Sequence, residues 1–201
     1  MQGNLIYISH PEVVIDPDMA VPDWPLSDLG RARMAATSQA NWVQGATSIW
    51  CSTETKAQDG AEILQDALGL PVFELEELGE NDRSATGYVA PPEFWDIVDA
   101  FFAQPDTSIR GWERAADAQT RIIAALTKIN ADAPDGDALI VAHGGVGALA
   151  MCALRGVAIS RSHDQSNQGN WFAINRQDFS LVHGWQALPA AEAPIPTGMT
   201  Q

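Results

Sequence analysis

The chain has 201 residues, 26 acidic against 11 basic side chains, a formal net charge of −15 and 46% hydrophobic residues. This length and this apolar fraction predict a single globular domain and exclude disorder for most of the chain. The excess of negative charge argues against nucleic acid or an anionic membrane as a partner, because either would need a basic face on the protein.

No apolar run approaches the ~20 residues that cross a bilayer, and residues 1–10 lack the basic segment that opens a secretory leader. We therefore expect neither a membrane span nor export. The two cysteines, Cys51 and Cys152, lie in apolar runs, which excludes a disulfide scaffold and indicates a reducing compartment. A cytoplasmic location is the prediction that follows.

Three uninterrupted apolar runs predict strands that are buried on both faces, as in a parallel sheet: Leu5–Ile8, Ser48–Cys51 and Ala138–Ala142. Four segments with apolar residues at helical spacing alternate with them: Ser27–Val43, Thr55–Leu68, Trp112–Ile129 and Val146–Leu154. Two short strands, Phe172–Ile174 and Leu181–His183, follow as a hairpin. The alternation predicts an α/β fold, a three-layer α/β/α sandwich with a mostly parallel central sheet.

Residues 1–187 are predicted to form the domain, and residues 188–201, which are rich in Ala and Pro without periodicity, a loose tail. Within the domain, the segment around 76–110 is predicted to be a lid-like excursion. The stretch Glu74–Pro92 is polar and rich in turn residues, and it is too long for a plain connection between two elements. A segment of this kind typically lies beside a functional site.

Two histidines come directly after predicted strands. His10 follows the first strand, and His143 follows Ala138–Ala142 and precedes Gly144 and Gly145. Ligands of an open parallel sheet bind beyond the carboxyl ends of its strands, so both imidazoles are expected at one crevice. The two glycines ahead of a helix also place backbone N–H groups where they can face an anion.

Four motifs, taken in order, resemble the histidine phosphatase superfamily, which is also called phosphoglycerate-mutase-like. The family's Arg-His-Gly-Glu after a strand corresponds to Ser-His-Pro-Glu at residues 9–12, and its Leu-(Ser/Thr)-x-x-Gly to residues 26–30. Its Ser-x-x-x-Arg-Ala corresponds to residues 52–57, and its His-Gly-Gly-Val is present at residues 143–146. The resemblance covers the chain from Leu5 to about Trp185 and implies a phosphoglycerate-mutase-like fold.

The resemblance implies a phosphohydrolase for a phosphomonoester, either a small phosphorylated metabolite or a phosphoprotein. His10 corresponds to the family's nucleophile, which carries the phosphoryl group as phosphohistidine, and His143 to the histidine that donates protons to the phosphoryl oxygens. A carboxyl group after the third strand protonates the leaving oxygen. The candidates are Glu76, Glu77 and Glu80, and Glu80 is preferred because it lies within the polar segment. No cofactor and no metal are implied, and a homodimer is compatible with the resemblance.

The sequence departs from the family where two arginines clamp the phosphoryl oxygens. Ser9 replaces the first arginine, and Lys56 replaces the second, which keeps the charge but loses the two-pronged fork. Ser9, Lys56 and Gly144 are nevertheless predicted to lie at the substrate. The missing cation is predicted to come from one of three arginines: Arg83, Arg110 or Arg114. Of these, Arg83 lies beside the proposed acid.

Two alternatives stay open at this point. A catalytically impaired homologue would keep His10 and His143 and bind a phosphorylated or other anionic ligand without turnover. A metal site would use the same two histidines with His163 or His183, although no short-spaced ligand motif supports it. Turnover of an aryl phosphate separates the first alternative from a phosphatase, and stoichiometric metal in the purified protein would reveal the second.

Overall fold

A mostly parallel six-stranded sheet lies at the centre of residues 3–191, which are the residues that the computed structural model describes. The strands are β1 (Asn4–Ser9), β2 (Ala46–Cys51), β3 (Val72–Glu74), β4 (Asp137–Ala142), β5 (Asn170–Asn175) and β6 (Leu181–Ala187). Their order across the sheet is β3-β2-β4-β1-β5-β6. The first four strands of this order are parallel, whereas β5 runs antiparallel to β1 and to β6.

Five α-helices pack on the sheet within the described residues: α1 (Asp28–Thr37), α2 (Thr55–Leu68), α3 (Glu93–Ala103), α4 (Ala115–Asp132) and α5 (Gly144–Leu154). Side chains of α1 and α2 share one buried cluster with Ile6 and Ile8 of β1. Side chains of α3, α4 and α5 share another cluster with Leu5 and Tyr7 of the same strand. Because successive strand residues point to opposite faces, the two clusters lie on opposite sides of the sheet. The predicted three-layer α/β/α sandwich is confirmed.

Two helix boundaries differ from the sequence prediction. Helix α1 ends at Thr37 rather than at Val43, and the Gln44 amide closes its end by donating to the Ser38 carbonyl at 2.8 Å. Helix α4 begins at Ala115 rather than at Trp112, because Arg114 has an extended backbone, with φ −67° and ψ 141°. A residue with this backbone conformation lies outside the helix and forms its N-cap.

The predicted excursion around 76–110 contains helix α3, which the sequence analysis did not identify. Its buried face consists of Ile97, Val98, Phe101 and Phe102. Residues 79–92 before it contain no helix or strand. None of the helices within residues 3–191 has the length and the apolarity to cross a bilayer.

The predicted tail over residues 188–201 is described only to residue 191, and residues 192–201 lie outside the described residues. Leu188 is buried, its N–H donates to the Gly169 carbonyl at 2.9 Å, and its side chain belongs to the cluster of α1 and α2. The packed structure therefore extends at least one residue beyond the predicted boundary at 187.

The sheet topology determines where the two histidines lie. β1 and β4 are adjacent parallel strands whose last residues, Ser9 and Ala142, are register partners. The next residues along the two strands are His10 and His143, and the His10 N–H still donates to the Ala142 carbonyl at 3.0 Å. Both histidines thus leave the sheet at the same edge.

Candidate active site

The imidazoles of His10 and His143 lie together at the carboxyl edge of the sheet. Their ring centroids are 5.3 Å apart and their planes meet at 67°. His143 is fully buried, and His10 is half-buried. The juxtaposition expected from the strand ends is therefore present in the structure.

Hydrogen bonding fixes the orientation of the His10 ring. Nδ1–H donates to the carbonyl oxygen of Pro11 at 2.9 Å, so the neutral ring carries its lone pair on Nε2. Burial lowers the pKa of His10 to about 4, and the charge of Lys56 contributes in the same direction. At neutral pH this residue is an uncharged imidazole with an unprotonated Nε2.

His143 meets a hydroxyl and a carboxylate at its Nε2 atom. Ser52 Oγ lies at 2.6 Å, and Glu54 Oε1 lies at 3.4 Å. Burial lowers the pKa of His143 to about 4, although the Glu54 carboxylate opposes this shift. The Nδ1 atom is buried and has no hydrogen-bond partner within residues 3–191. The ring is neutral at rest, and Glu54 is placed to stabilise its protonated form.

Glu54 connects the histidine to two other parts of the site, and the sequence analysis did not single it out. Its Oε2 accepts from Lys56 Nζ at 2.5 Å, and its Oε1 accepts from the Glu80 N–H at 2.8 Å. Although burial opposes the shift, the charge of protonated His143 and that of Lys56 lower the pKa of Glu54 to about 2. The one available signal was its place inside the motif at residues 52–57.

Lys56 lies beside both histidines, but its ammonium group is already paired. Besides Glu54, it donates to the Val21 carbonyl at 2.9 Å, and its side chain is buried. Lys56 neutralises Glu54 and holds the loop before α1. The predicted role as a phosphoryl clamp stays a prediction.

The three candidate acids occupy different surroundings, since Glu76, like Glu77, is exposed, whereas Glu80 is half-buried. The Glu80 carboxylate accepts from the N–H groups of Gly145 and Val146, at 3.0 and 2.9 Å, and so covers the N-terminus of α5 directly after His143. Glu77 is exposed in a short 3-10 turn, and its carboxylate contacts neither histidine. The structure therefore brings Glu80, and not Glu77, to the histidine pair.

Ser9 and Gly144 meet through a residue that the sequence analysis did not mention, Gln165. Ser9 is buried, and its hydroxyl donates to Gln165 Oε1 at 2.5 Å. A Cβ atom on Gly144 would lie 2.2 Å from Gln165 Nε2, so glycine is required at this position while the amide lies over it. Only three-dimensional proximity could have revealed Gln165, since it is 156 residues from Ser9.

The three arginines proposed as substitute cations differ in position. Arg83 lies within 5.5 and 5.6 Å of the ring centroids of Phe94 and Trp112, and its charge contributes to the lowered pKa of His10. Arg110 pairs with Glu93 and Arg114 pairs with Asp117 in exposed ion pairs. Arg83 is therefore the one of the three that lies near the histidines.

A cleft of about 680 Å³ adjoins the site through Glu54 and Glu80, which are part of its wall, whereas neither histidine lines it. Arg83 and the candidate acid Glu77 also line this cleft, together with Val21 from the loop before α1. Its volume is in the range of small-molecule sites.

The metal alternative lacks its expected third ligand. Across residues 3–191 no three side chains of His, Cys, Asp or Glu come close enough to hold one ion. His183 packs edge-on against Trp171 at 4.4 Å, and the backbone carbonyl of His163 accepts from Trp185. Both additional histidines thus contact tryptophans rather than the His10 and His143 rings.

The family model for the histidine phosphatase superfamily (branch 1) matches residues 19–180 of the chain. The match begins after His10, so the correspondence of His10 with the family's nucleophile rests on its position after β1 and beside His143. No curated protein sequence matches the chain at a significant level.

Solved structures with the same fold include enzymes for small phosphorylated compounds. A mycobacterial glucosyl-3-phosphoglycerate phosphatase in complex with inorganic phosphate aligns with a TM-score of 0.70 at 22% identity, over 95% of this chain and 98% of its own. Phosphoserine phosphatase from Entamoeba histolytica, in complex with 3-phosphoglyceric acid, has a TM-score of 0.72 at 16% identity, over 92% and 98%. YhfR from Bacillus stearothermophilus has a TM-score of 0.71 at 20% identity, over 90% and 95%. At these identities the likeness establishes the fold.

Proposed function

The chain belongs to the histidine phosphatase superfamily, and from this membership we propose that it hydrolyses a phosphomonoester through a phosphohistidine formed at His10. The observation that carries the proposal is the pairing of two neutral imidazoles, 5.3 Å apart, at the carboxyl edge of the sheet, where Glu54 and Glu80 separate them from a cleft. The substrate class that we propose is a small phosphorylated metabolite, since both named phosphatases with this fold act on compounds of that kind.

His10 Nε2 is the nucleophile in this proposal. Because Pro11 holds the proton on Nδ1, the lone pair on Nε2 is available to attack phosphorus. The N–P bond forms while the bond between phosphorus and the ester oxygen breaks, and the electron pair leaves with that oxygen. The pKa near 4 keeps His10 neutral, and therefore nucleophilic, through the physiological range.

His143 stabilises the negative charge that accumulates on the phosphoryl oxygens. An approaching phosphoryl group favours protonation of the imidazole, and the Glu54 carboxylate at 3.4 Å from Nε2 stabilises the resulting positive charge. Ser52 at 2.6 Å keeps the ring in place. In a buried site such fixed charges act more strongly than they would in water.

Glu80 is the proposed proton donor for the leaving oxygen. Its backbone N–H donates to Glu54, and its carboxylate accepts from two N–H groups in the first turn of α5. In the proposal it therefore reaches the phosphoryl group from the side of His143. In the second half of the reaction the same carboxylate takes a proton from water, which attacks the phosphohistidine and releases inorganic phosphate.

The test is hydrolysis of p-nitrophenyl phosphate by the wild-type protein and by His10→Ala, with His163→Ala as a control for removal of an imidazole elsewhere. We expect turnover by the wild type and the control, a loss of at least ~10³-fold in His10→Ala, and an acid-labile phosphate on the peptide that contains His10. Full turnover by His10→Ala would refute the proposal. Saturable binding of phosphate by a wild type that turns nothing over would instead identify a binding protein.

A further inference from the structure

We propose that the carboxamide of Gln165 is a phosphoryl-binding group, which supplies from a distant loop the hydrogen-bond donor that the family places on an arginine at residue 9. The proposal rests on the proposed function, because it concerns the same phosphoryl site. It assigns a direct substrate contact to a residue outside the family's motifs.

Gln165 lies at the edge of the histidine pair through its contact with the first residue of α5. The residue lies in the loop between the short turn Arg161–His163 and β5. Its Nε2 atom packs on Gly144, the first residue of α5, so closely that a Cβ there would lie 2.2 Å away. Gly144 directly follows His143. The amide nitrogen is therefore located beside the second histidine and at the end of the helix that faces the histidine pair.

A hydrogen-bond network fixes which end of the amide is the donor. Ser9 Oγ accepts from the Asn170 backbone N–H at 3.0 Å, and of the two acceptors for its own hydrogen Gln165 Oε1 at 2.5 Å is closer than the Asn170 carbonyl at 3.2 Å. Asn170 Nδ2 donates to the same Oε1 at 3.0 Å. Because both neighbours of Oε1 are donors, the carbonyl end points at them and the NH₂ end points at Gly144.

The donor end of Gln165 has no assigned task within the protein. Nε2 has no hydrogen-bond acceptor among residues 3–191, whereas Oε1 has two donors. Ser9, which replaces the arginine, is fully buried, and its hydroxyl orients the amide. A serine and a glutamine together thus provide one fixed donor in the place of a long cationic side chain.

An uncharged donor suits the remaining charges of the site. Lys56 is paired with Glu54, and Glu80 lies on the first turn of α5. An amide carries no charge that a carboxylate could neutralise, so it keeps its N–H groups for the ligand. The consequence is a phosphoryl site that binds oxygens by hydrogen bonds more than by charge.

The test compares orthovanadate binding, measured by calorimetry, and p-nitrophenyl phosphate turnover in Gln165→Met and Gln165→Glu. The matched controls are Gln168→Met and Gln168→Glu, the same changes at an exposed glutamine of the same loop. Gln165→Met removes the donor without adding charge, and Gln165→Glu keeps the acceptor for Ser9 and Asn170. We expect both Gln165 variants to weaken vanadate binding at least tenfold and to lower kcat/KM by ~10²-fold, while the Gln168 variants behave like the wild type.

Wild-type vanadate affinity in a folded Gln165→Met would overturn the proposal, and so would a wild type that binds no vanadate. If Gln165→Met does not fold, Ser9→Ala, which releases one end of the amide, is expected to weaken vanadate binding several-fold, and unchanged binding would overturn the proposal. Vanadate binding that depends on Gln165 in a protein without turnover would support the Gln165 site and refute the hydrolase. Turnover that does not depend on Gln165 would support the hydrolase and refute the Gln165 site.

Discussion

One carboxylate, that of Glu54, organises the charges around the histidine pair. It neutralises the buried Lys56, faces His143 at 3.4 Å and holds the Glu80 backbone at 2.8 Å. A buried ion pair whose partner is removed leaves an uncompensated charge, which typically costs ~3–5 kcal/mol. Glu54 and Lys56 are therefore required together, and the replacement of an arginine by Lys56 is understandable as one half of this pair.

Substrates with different leaving groups distinguish Glu80 from Glu77 as the proton donor. In Glu80→Gln the carboxyl proton is lost while the shape is kept, so we expect turnover of an alkyl phosphate to fall by ~10²-fold or more. p-Nitrophenolate leaves without protonation, so the first half of that reaction should be much less affected. Burst kinetics with both substrates measure the difference. The matched control is Glu77→Gln, whose carboxylate is exposed, and an equal loss in the two variants would remove Glu80 from its proposed role.

The sequence predicted the site residues whose positions follow from the course of the backbone. It missed those whose roles depend on the direction of a long side chain. His10 and His143 were predictable because each follows a buried strand, and adjacent parallel strands end at one edge. Glu54 and Gln165 were not, because their roles depend on where a long side chain points after folding. Lys56 was recognised by its motif position, but its pairing with Glu54 depends on burial, which the motif does not encode.

The secondary-structure elements also differ in how well their sequence patterns predict them. Helix α2 was predicted with both its bounds, Thr55 and Leu68, since its apolar residues recur at helical spacing and Gly69 ends it in a left-handed conformation. Helix α3 was missed inside a segment interpreted as irregular, although Ile97, Val98 and Phe101 have helical spacing. Strand β3 has only three residues, of which two are exposed, so the sequence carries little signal for it.

Helix α4 positions the segment that carries Glu80. Arg121 of this helix donates to the carbonyls of Glu77, Gly79 and Glu80, at 2.9, 2.9 and 3.2 Å, and pairs with Glu113. One side chain thus holds three backbone carbonyls of the segment between residues 77 and 80. This arrangement connects a helix on one face of the sheet to the geometry of the proposed acid.

We expect Arg121→Met to loosen Glu80 while leaving the histidine pair in place. Three backbone carbonyls lose their donor, so amide exchange of residues 77–82 should accelerate and kcat for an alkyl phosphate should fall about tenfold, because the acid is less well positioned. Hydrogen-exchange mass spectrometry and steady-state kinetics measure the two effects. Arg114→Met, which removes an exposed arginine of a surface pair, is the control. Unchanged exchange in Arg121→Met would show that the segment holds its shape without α4.

The net charge of −15 acts on the whole molecule and opposes the approach of a phosphate dianion. Of the cations within residues 3–191, eight lie in ion pairs with carboxylates: Arg31, Arg33, Lys56, Arg110, Arg114, Arg121, Lys128 and Arg161. Arg176 is buried and donates to several backbone carbonyls. A substrate dianion therefore meets a repulsive long-range field with few uncommitted cations.

This field predicts an unusual salt dependence. Raising the ionic strength shortens the Debye length from about 30 Å at 0.01 M to about 8 Å at 0.15 M. Screening should weaken the repulsion, so we expect kcat/KM for a dianionic phosphomonoester to rise several-fold over this range. The sign is opposite to that of an enzyme which attracts its substrate with a basic face. Kinetics in sodium chloride, with a zwitterionic phosphomonoester as the comparison substrate, provide the test, and a falling kcat/KM would contradict it.

Acid should destabilise the fold through the same two histidines that serve the site. The pKa of His143 is lowered from 6.5 to about 4 by burial, so between these values the unfolded chain binds a proton that the native state does not. Stability is therefore lost as the pH falls from 6.5 to 4. For His143 alone the loss is on the order of 3 kcal/mol over the whole window. The lowered pKa of His10 acts in the same direction.

The carboxyl group of Asp164 has the opposite effect on stability in acid. Burial raises the pKa of Asp164 from 3.8 to about 6, so the native state takes up its proton first and gains stability as the pH falls through that range. Because two histidines destabilise the fold in acid and one half-buried aspartate stabilises it, we expect a net loss of folding stability on acidification. Urea unfolding at pH 7 and at pH 4.5 should show this loss in the wild type and in the control His163→Gln, and a smaller loss in His143→Gln. If all three proteins lose the same free energy of unfolding between pH 7 and pH 4.5, His143 titrates normally and is not buried in solution.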